Sequence, residues 1–167
     1  ILSVGRMHHV KGFDILIKAF SEVIKEEDAY LVLLGQGPDE VKLKSLCKAL
    51  KIHDSVIFRG FVKNPWPFYN EADLFVSASR WEGFGNSIVE SLALGTPVIV
   101  SDCPGGPRDI INNGEFGDIA HVGDYFQLKD LILKNLSQPI DKKIIIDRSK
   151  KYSIENIINE YSSAIFK

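Results

Sequence analysis

Short, uniformly apolar runs alternate along this chain with stretches whose apolar residues recur every three or four positions. The first pattern predicts buried strands and the second amphipathic helices. Ile1 to Val4 read as the first strand, ended by Gly5, and Arg6 to Val10 as a polar loop. From about Lys11 or Gly12 the stripe Phe13, Leu16, Ile17, Phe20, Val23 and Ile24 has helical spacing. Tyr30 to Leu34 form a second strand, stopped by Gly35-Gln36-Gly37. Pro38 then opens a helix with Asp39 and Glu40 in its first turn, where the helix dipole favours acids. Ser55 to Phe58 make a third strand ending near Gly60, and Pro65 and Pro67 allow one or two helical turns at most before Ala72.

The fourth strand, Leu74 to Ala78, leads into the stretch around which the chain is organised: Trp81-Glu82-Gly83-Phe84-Gly85-Asn86, with a short helix following and Gly95 as its stop. A strand, a loop with two glycines and a helix N-terminus aim backbone N–H groups at any anion in the loop. Pro97 to Ser101 form the fifth strand, and the loop Asp102 to Pro107 precedes a short helix, Arg108 to Asn112, ended by Asn113-Gly114. A small strand lies near Asp118 to His121. Asp124 caps the next helix, with Gln127 completing a capping box, and a last helical pair follows, its second member capped by Ser153.

Strands apolar throughout, alternating with helices, imply a parallel sheet covered on both faces: a doubly wound, Rossmann-like α/β domain over residues 1–167. Ligands of such sheets bind outside the carboxyl ends of the strands. The loops there are Gly5 to Lys11, Gly35 to Gly37, Gly60 to Asn64, Arg80 to Asn86 and Asp102 to Pro107, and they hold most of the glycines.

With 45% apolar residues and a net charge of −2, the 167-residue chain suits one core and carries no global basic signature of nucleic-acid binding. Lys142, Lys143, Arg148, Lys150 and Lys151 read as a solvated helix face. Cys47 in a helix and Cys103 in a loop suit a reduced compartment better than a disulfide scaffold. No apolar run is long enough to span a bilayer. The chain opens on a strand without an initiator Met, so a piece of a longer protein is expected.

Arg6 and Lys11 flank the first loop, where two cations could neutralise a diphosphate without a metal; two solvated charges is the alternative reading. His8 and His9 read as exposed, and no His, Cys or carboxylate set has metal-ligand spacing. Gly35-Gln36-Gly37 begins like a dinucleotide fingerprint but has Glu40 in place of the third glycine, so it reads as a turn. Ser87 to Glu90 spell a capping box in which Glu90 would bond back to the Ser87 backbone. Glu82 has no such structural task. A glycosidase pair formed by Glu82 and Glu90 stays open, since sequence does not measure their separation.

Glu82 and Glu90, embedded in Glu82-Gly83-Phe84-Gly85-Asn86-Ser87-Ile88-Val89-Glu90, resemble the signature of retaining GT-B glycosyltransferases, the group 1 enzymes. Val4-Gly5-Arg6 with Lys11-Gly12-Phe13-Asp14, Leu33 to Gly37, Phe58 to Phe61, Ala72 to Val76, Gly105 to Asp109, Asn113-Gly114, Gly117 and Gly123-Asp124 extend the likeness over nearly the whole chain. The resemblance implies the C-terminal, donor-binding half of a two-domain enzyme. By it, Arg6 and Lys11 hold the donor diphosphate, Glu82 contacts the transferred sugar, and Glu90 binds the ribose hydroxyls. Gly83, Phe84, Gly85, Asn86 and Ser87 lie near phosphates and sugar, with Gly5 also in the binding set, and Arg59, Gly60 and Phe61 lie near the base. Asn86 replaces an apolar residue common in the family, and Pro107, Arg108 and Asp109 also depart from its pattern, which bears on the identity of the sugar.

The implied reaction is transfer from a nucleotide diphosphate sugar, a UDP-sugar by expectation, to a glycan or lipid-linked acceptor with retention of configuration. No metal and no further cofactor are expected. Acceptor contacts would come through an absent N-terminal domain, with peripheral membrane contact at the cytoplasmic face, and the isolated chain would bind donor but transfer little. The competing readings are a sugar-nucleotide epimerase half-domain, the glycosidase, and a non-catalytic nucleotide-sugar binding module.

Overall fold

All six apolar runs become strands in the computed structural model, which describes residues 1–165; residues 166 and 167 of the expected domain lie outside the described residues. They are β1 (Leu2–Val4), β2 (Leu31–Leu34), β3 (Val56–Gly60), β4 (Phe75–Ser77), β5 (Val98–Ser101) and β6 (Asp118–Ala120). Every pairing is parallel, in the order β3-β2-β1-β4-β5-β6. The helices are α1 (Phe13–Val23), α2 (Glu40–Ala49), α3 (Trp66–Glu71), α4 (Asn86–Ala93), α5 (Pro107–Ile110), α6 (Tyr125–Ser137), α7 (Lys142–Ser149) and α8 (Ile154–Ile165).

Alternation within each strand supplies two cores, because successive side chains leave a strand on opposite faces. Leu31, Leu33, Val76 and Ile99 pack with Phe13, Leu16 and Phe20 of α1, Leu43 and Cys47 of α2, and Leu128 and Ile132 of α6. On the other face Leu2, Leu34, Phe75, Val98 and Val100 meet Tyr69 of α3, Ile88 and Leu92 of α4, Ile110 of α5 and Ile145 of α7. The neighbouring strands β1 and β4 therefore send their following helices to opposite faces. That divergence opens a crevice at their carboxyl ends, the usual ligand position in such sheets.

Several local expectations change. Met7, expected in a polar loop, is fully buried; Gln36 O accepts from its N–H at 2.9 Å and its own carbonyl accepts from Asp39 N at 3.1 Å. The Ser87–Glu90 capping box does not form: the N-cap of α4 is Gly85, two residues before Ser87, at φ 103° with no side-chain cap, and Glu90 bonds elsewhere. Asp124 does cap α6, accepting from Gln127 N at 2.9 Å, but the Gln127 side chain accepts from His121 N at 2.6 Å instead of completing a reciprocal box. Arg148 is not part of a purely solvated face. It donates to Ile110 O at 2.7 Å and to Asp109 O, and lies over the Phe116 and Tyr152 rings. The C-terminal carbonyls of α5 need such a donor. Among the described residues no helix is long and apolar enough to cross a membrane.

Candidate functional site

The loop after β1 is pressed against the end of β4, and one glycine makes this contact available. Gly12 has φ 65°, and a Cβ there would stand 1.8 Å from the Ala78 carbonyl oxygen. Across this seam the Arg80 amide donates to Val10 O at 2.7 Å. The Arg80 guanidinium forks onto both carboxylate oxygens of Asp14 at 2.7 Å and also donates to His9 O at 2.7 Å. Burial raises the Asp14 carboxyl, but the Arg80 hydrogen bonds and charge outweigh it and hold the group below its ordinary range. The loop after β5 closes on the same place from the other side, with Glu82 N donating to Pro104 O at 3.2 Å and Gly106 N to Gly83 O at 2.9 Å.

This stitching brings Lys11 and Glu82, 71 residues apart in sequence, into an ion pair of 2.5 Å with side chains only 26% and 12% exposed. Ser79 Oγ donates to the same Glu82 oxygen at 3.2 Å. Cys103 is buried beside them; burial first, and then the Glu82 charge, pushes its thiol up. Glu90 is held separately: the fully buried Tyr69 phenol donates to Glu90 Oε2 at 3.0 Å. Burial, followed by the Glu90 charge, drives the phenol far above its ordinary range, so it remains a donor. The two carboxylates thus have partners on different elements.

The other predicted residues sort by position. Arg6 is exposed in the loop after β1 and makes no ion pair among the described residues. Gly5 donates its amide to Leu34 O at 3.0 Å, and Gly83, Phe84 and Asn86 are exposed between β4 and α4. The Phe84 ring meets Tyr152 edge-on at 5.6 Å. Gly85 is buried and Ser87 half-buried at the start of α4, whose first amides have no capping side chain and carry the positive end of the helix dipole. Arg59 and Gly60 end β3 and Phe61 follows it, at the sheet edge two strands from β1, with Arg59 and Phe61 exposed; the Gly60 carbonyl accepts from Gly35 N at 2.8 Å, next to Gly5.

Arg80, Asp14, Ser79 and Tyr69 are the site's supporting residues that sequence reasoning passed over. A single cation after a strand and a tyrosine in a proline-interrupted turn carry no spacing signal; only the fold pairs them. His8 and His9 are exposed, His8 Nδ1 accepting from Val10 N at 3.3 Å. Among the described residues no group of three or more His, Cys, Asp or Glu side chains is placed to hold a metal ion. A cavity of about 1040 Å³, lined by Ile1, Tyr30, Phe68, Asp73 and Pro97 among others, opens at the amino end of the sheet, away from these loops.

Residues 1–152 match the family described as Glycosyl transferases group 1. The alpha-monoglucosyldiacylglycerol synthase of Streptococcus pneumoniae is 42% identical over 163 residues, 93% of this chain and 36% of that protein. An uncharacterised glycosyltransferase of Methanocaldococcus jannaschii is 34% identical over 155 residues, 89% of this chain and 38% of that protein. The chain spans less than half the length of each. Among solved structures, the apo form of the lipopolysaccharide outer core galactosyltransferase WaaB superposes with a TM-score of 0.89 at 25% identity, over 99% of this chain and 48% of that one. The G117R mutant of S. aureus TarM, in complex with fondaparinux, alpha-GlcNAc-glycerol and UDP, superposes at 0.80 with 25% identity, over 98% of this chain and 33% of that one.

Proposed function

Since the chain belongs to the glycosyl transferases group 1 family and has the GT-B half-fold, we propose that it is the donor-binding part of a retaining glycosyltransferase. The full-length enzyme transfers a sugar from a nucleotide diphosphate sugar, a UDP-sugar in the first instance, to a glycan or lipid-linked acceptor. The observation that carries this reading is the convergence, at the β1/β4 crevice, of Lys11, Glu82 and the uncapped N-terminus of α4.

In this reading Arg6 and Lys11 hold the donor diphosphate and stabilise the charge that develops on it as the glycosidic bond breaks. Preorganised charge of this kind is commonly the largest contribution to an enzymatic rate. The amides around Gly85, Asn86 and Ser87 add to the same positive field, so the reaction as proposed needs no metal. Glu82, fixed by Lys11 and Ser79, meets the sugar hydroxyls, and Glu90 meets the ribose. The nucleotide base lies toward Arg59, Gly60 and Phe61. A glycosidase would need both carboxylates free to face one sugar ring; the separate anchoring of Glu82 on Lys11 and of Glu90 on Tyr69 speaks against it.

Calorimetric titration of the full-length protein with UDP, GDP and ADP, in EDTA and then in magnesium, tests the proposal. One nucleotide is expected to bind in EDTA, with weaker binding in Arg6→Ala and Glu90→Ala. With a sugar donor, NMR of the product is expected to give the donor's own anomeric configuration. A folded full-length protein that binds no nucleotide in either condition, or a product of inverted configuration, would overturn the corresponding part.

A further inference from the structure

Tyr69 of α3 carries a buried hydroxyl group that reaches the Glu90 carboxylate. Its side chain is fully buried, its ring packs against Phe75 with centroids 5.5 Å apart, and its phenol donates to one acceptor, Glu90 Oε2. No other hydrogen bond reaches the Glu90 carboxylate among the described residues, and Glu90 is half-buried, so Oε1 keeps its accepting capacity. The two residues come from different helices, yet their separation is fixed by a chain of buried hydrogen bonds. Thr96 Oγ1 donates to the Tyr69 carbonyl at 2.6 Å. Thr96 in turn is held by Ser91, the neighbour of Glu90: Ser91 Oγ donates to Thr96 O at 3.1 Å and Thr96 N to Ser91 O at 3.0 Å. Tyr69, Ser91 and Thr96 are all buried, so this network is shielded from competing water.

We infer that Tyr69 is a positioning residue for donor recognition, holding the Glu90 carboxylate at the orientation in which its remaining acceptor sites meet the vicinal diol of the nucleotide ribose. The inference rests on the proposal that Glu90 binds ribose. An unheld glutamate loses rotamer freedom when it binds a diol; one already bonded to a rigid phenol has lost it beforehand. The phenol also limits what Glu90 can select. With one oxygen engaged, the carboxylate discriminates a ribose from a deoxyribose through acceptor positions that the deoxy sugar leaves unfilled.

The test uses the full-length protein and whichever of UDP, GDP and ADP binds it, with the 2′-deoxy and 3′-deoxy forms of that nucleotide. Tyr69→Phe removes the hydroxyl and keeps the ring. It is expected to raise KM for the sugar donor about tenfold while changing kcat little, the scale of one hydrogen bond to a charged group. The wild-type preference for ribo- over deoxynucleotide is expected to shrink by a similar factor. Ile132→Val, a change in the core on the other face of the sheet, is expected to lower Tm with that preference intact. Undiminished preference in Tyr69→Phe, or an equal loss in Ile132→Val, would overturn the positioning role while leaving Glu90 on the ribose. A wild-type protein without any preference would overturn the Glu90 assignment itself, and the inference with it.

Discussion

Lys11 and Glu82 depend on each other before any ligand arrives. Each is mostly out of water, and each is the other's counter-ion at 2.5 Å. Removing only the ammonium leaves a carboxylate that is 12% exposed without its charge partner. Lys11→Ala is therefore expected to destabilise the fold by roughly 1.5–3 kcal/mol, and Lys11→Ala with Glu82→Gln by less than that, as thermal melts would measure. On the proposed chemistry, Lys11→Ala also costs on the order of 100- to 1,000-fold in turnover, read from initial rates with saturating donor. Lys11→Arg is not expected to restore the rate, because a planar guanidinium presents its donors in a different geometry from an ammonium. A Lys11→Ala enzyme that melts lower but turns over normally would remove Lys11 from the catalytic machinery.

At the scale of elements, the joint between α1 and the loop after β4 is a single forked ion pair. Arg80 and Asp14, 26% and 34% exposed, link the start of α1 to the residue two before Glu82. Asp14 has a folded-state pKa below its ordinary value, so the pair's stabilisation is complete above the unfolded pKa, near about 4, and is lost as pH falls through the folded one. Asp14→Asn is expected to be less stable than wild type at neutral pH, and the gap is expected to narrow from about pH 4 downward. Denaturant melts across that range would measure it; a constant gap would mean that Arg80 gains nothing from the carboxylate charge. Because α1 begins directly after Lys11 and Gly12, loosening this joint also loosens the Lys11–Glu82 pair.

For the whole molecule, two packed faces keep both thiols inside. Cys47 of α2 sits in the core shared with α1 and β2, and burial pushes its thiol up to about 11. Neither Cys47 nor Cys103 is in a disulfide, and both are buried. Thiol reagents at neutral pH are expected to label neither residue in the native protein and both once it is unfolded, as mass spectrometry would count. Fast labelling of native Cys47 would mean that α2 opens locally from the sheet.

The order of residues already carried the fold class, all six strands and a helix after Asn86, where the structure begins it at Asn86 itself, because burial on both faces leaves an unbroken apolar run and burial on one leaves a stripe of helical period. It carried the loops that assemble the crevice as well, since a strand followed by glycines and a helix start is a local signal. Other features were beyond local reading. Met7 looked polar by its neighbours and is core; Glu90 looked like a capping residue and is held by Tyr69; Arg148 looked solvated and caps the end of α5. Each of these depends on a partner between 21 and 38 residues away, or on which face a loop turns toward. Spacing along the chain encodes only what lies within a helical turn or a strand. The pairing of Lys11 with Glu82 and of Tyr69 with Glu90 came into being when a sheet ordered 3-2-1-4-5-6 brought distant loops and helices together.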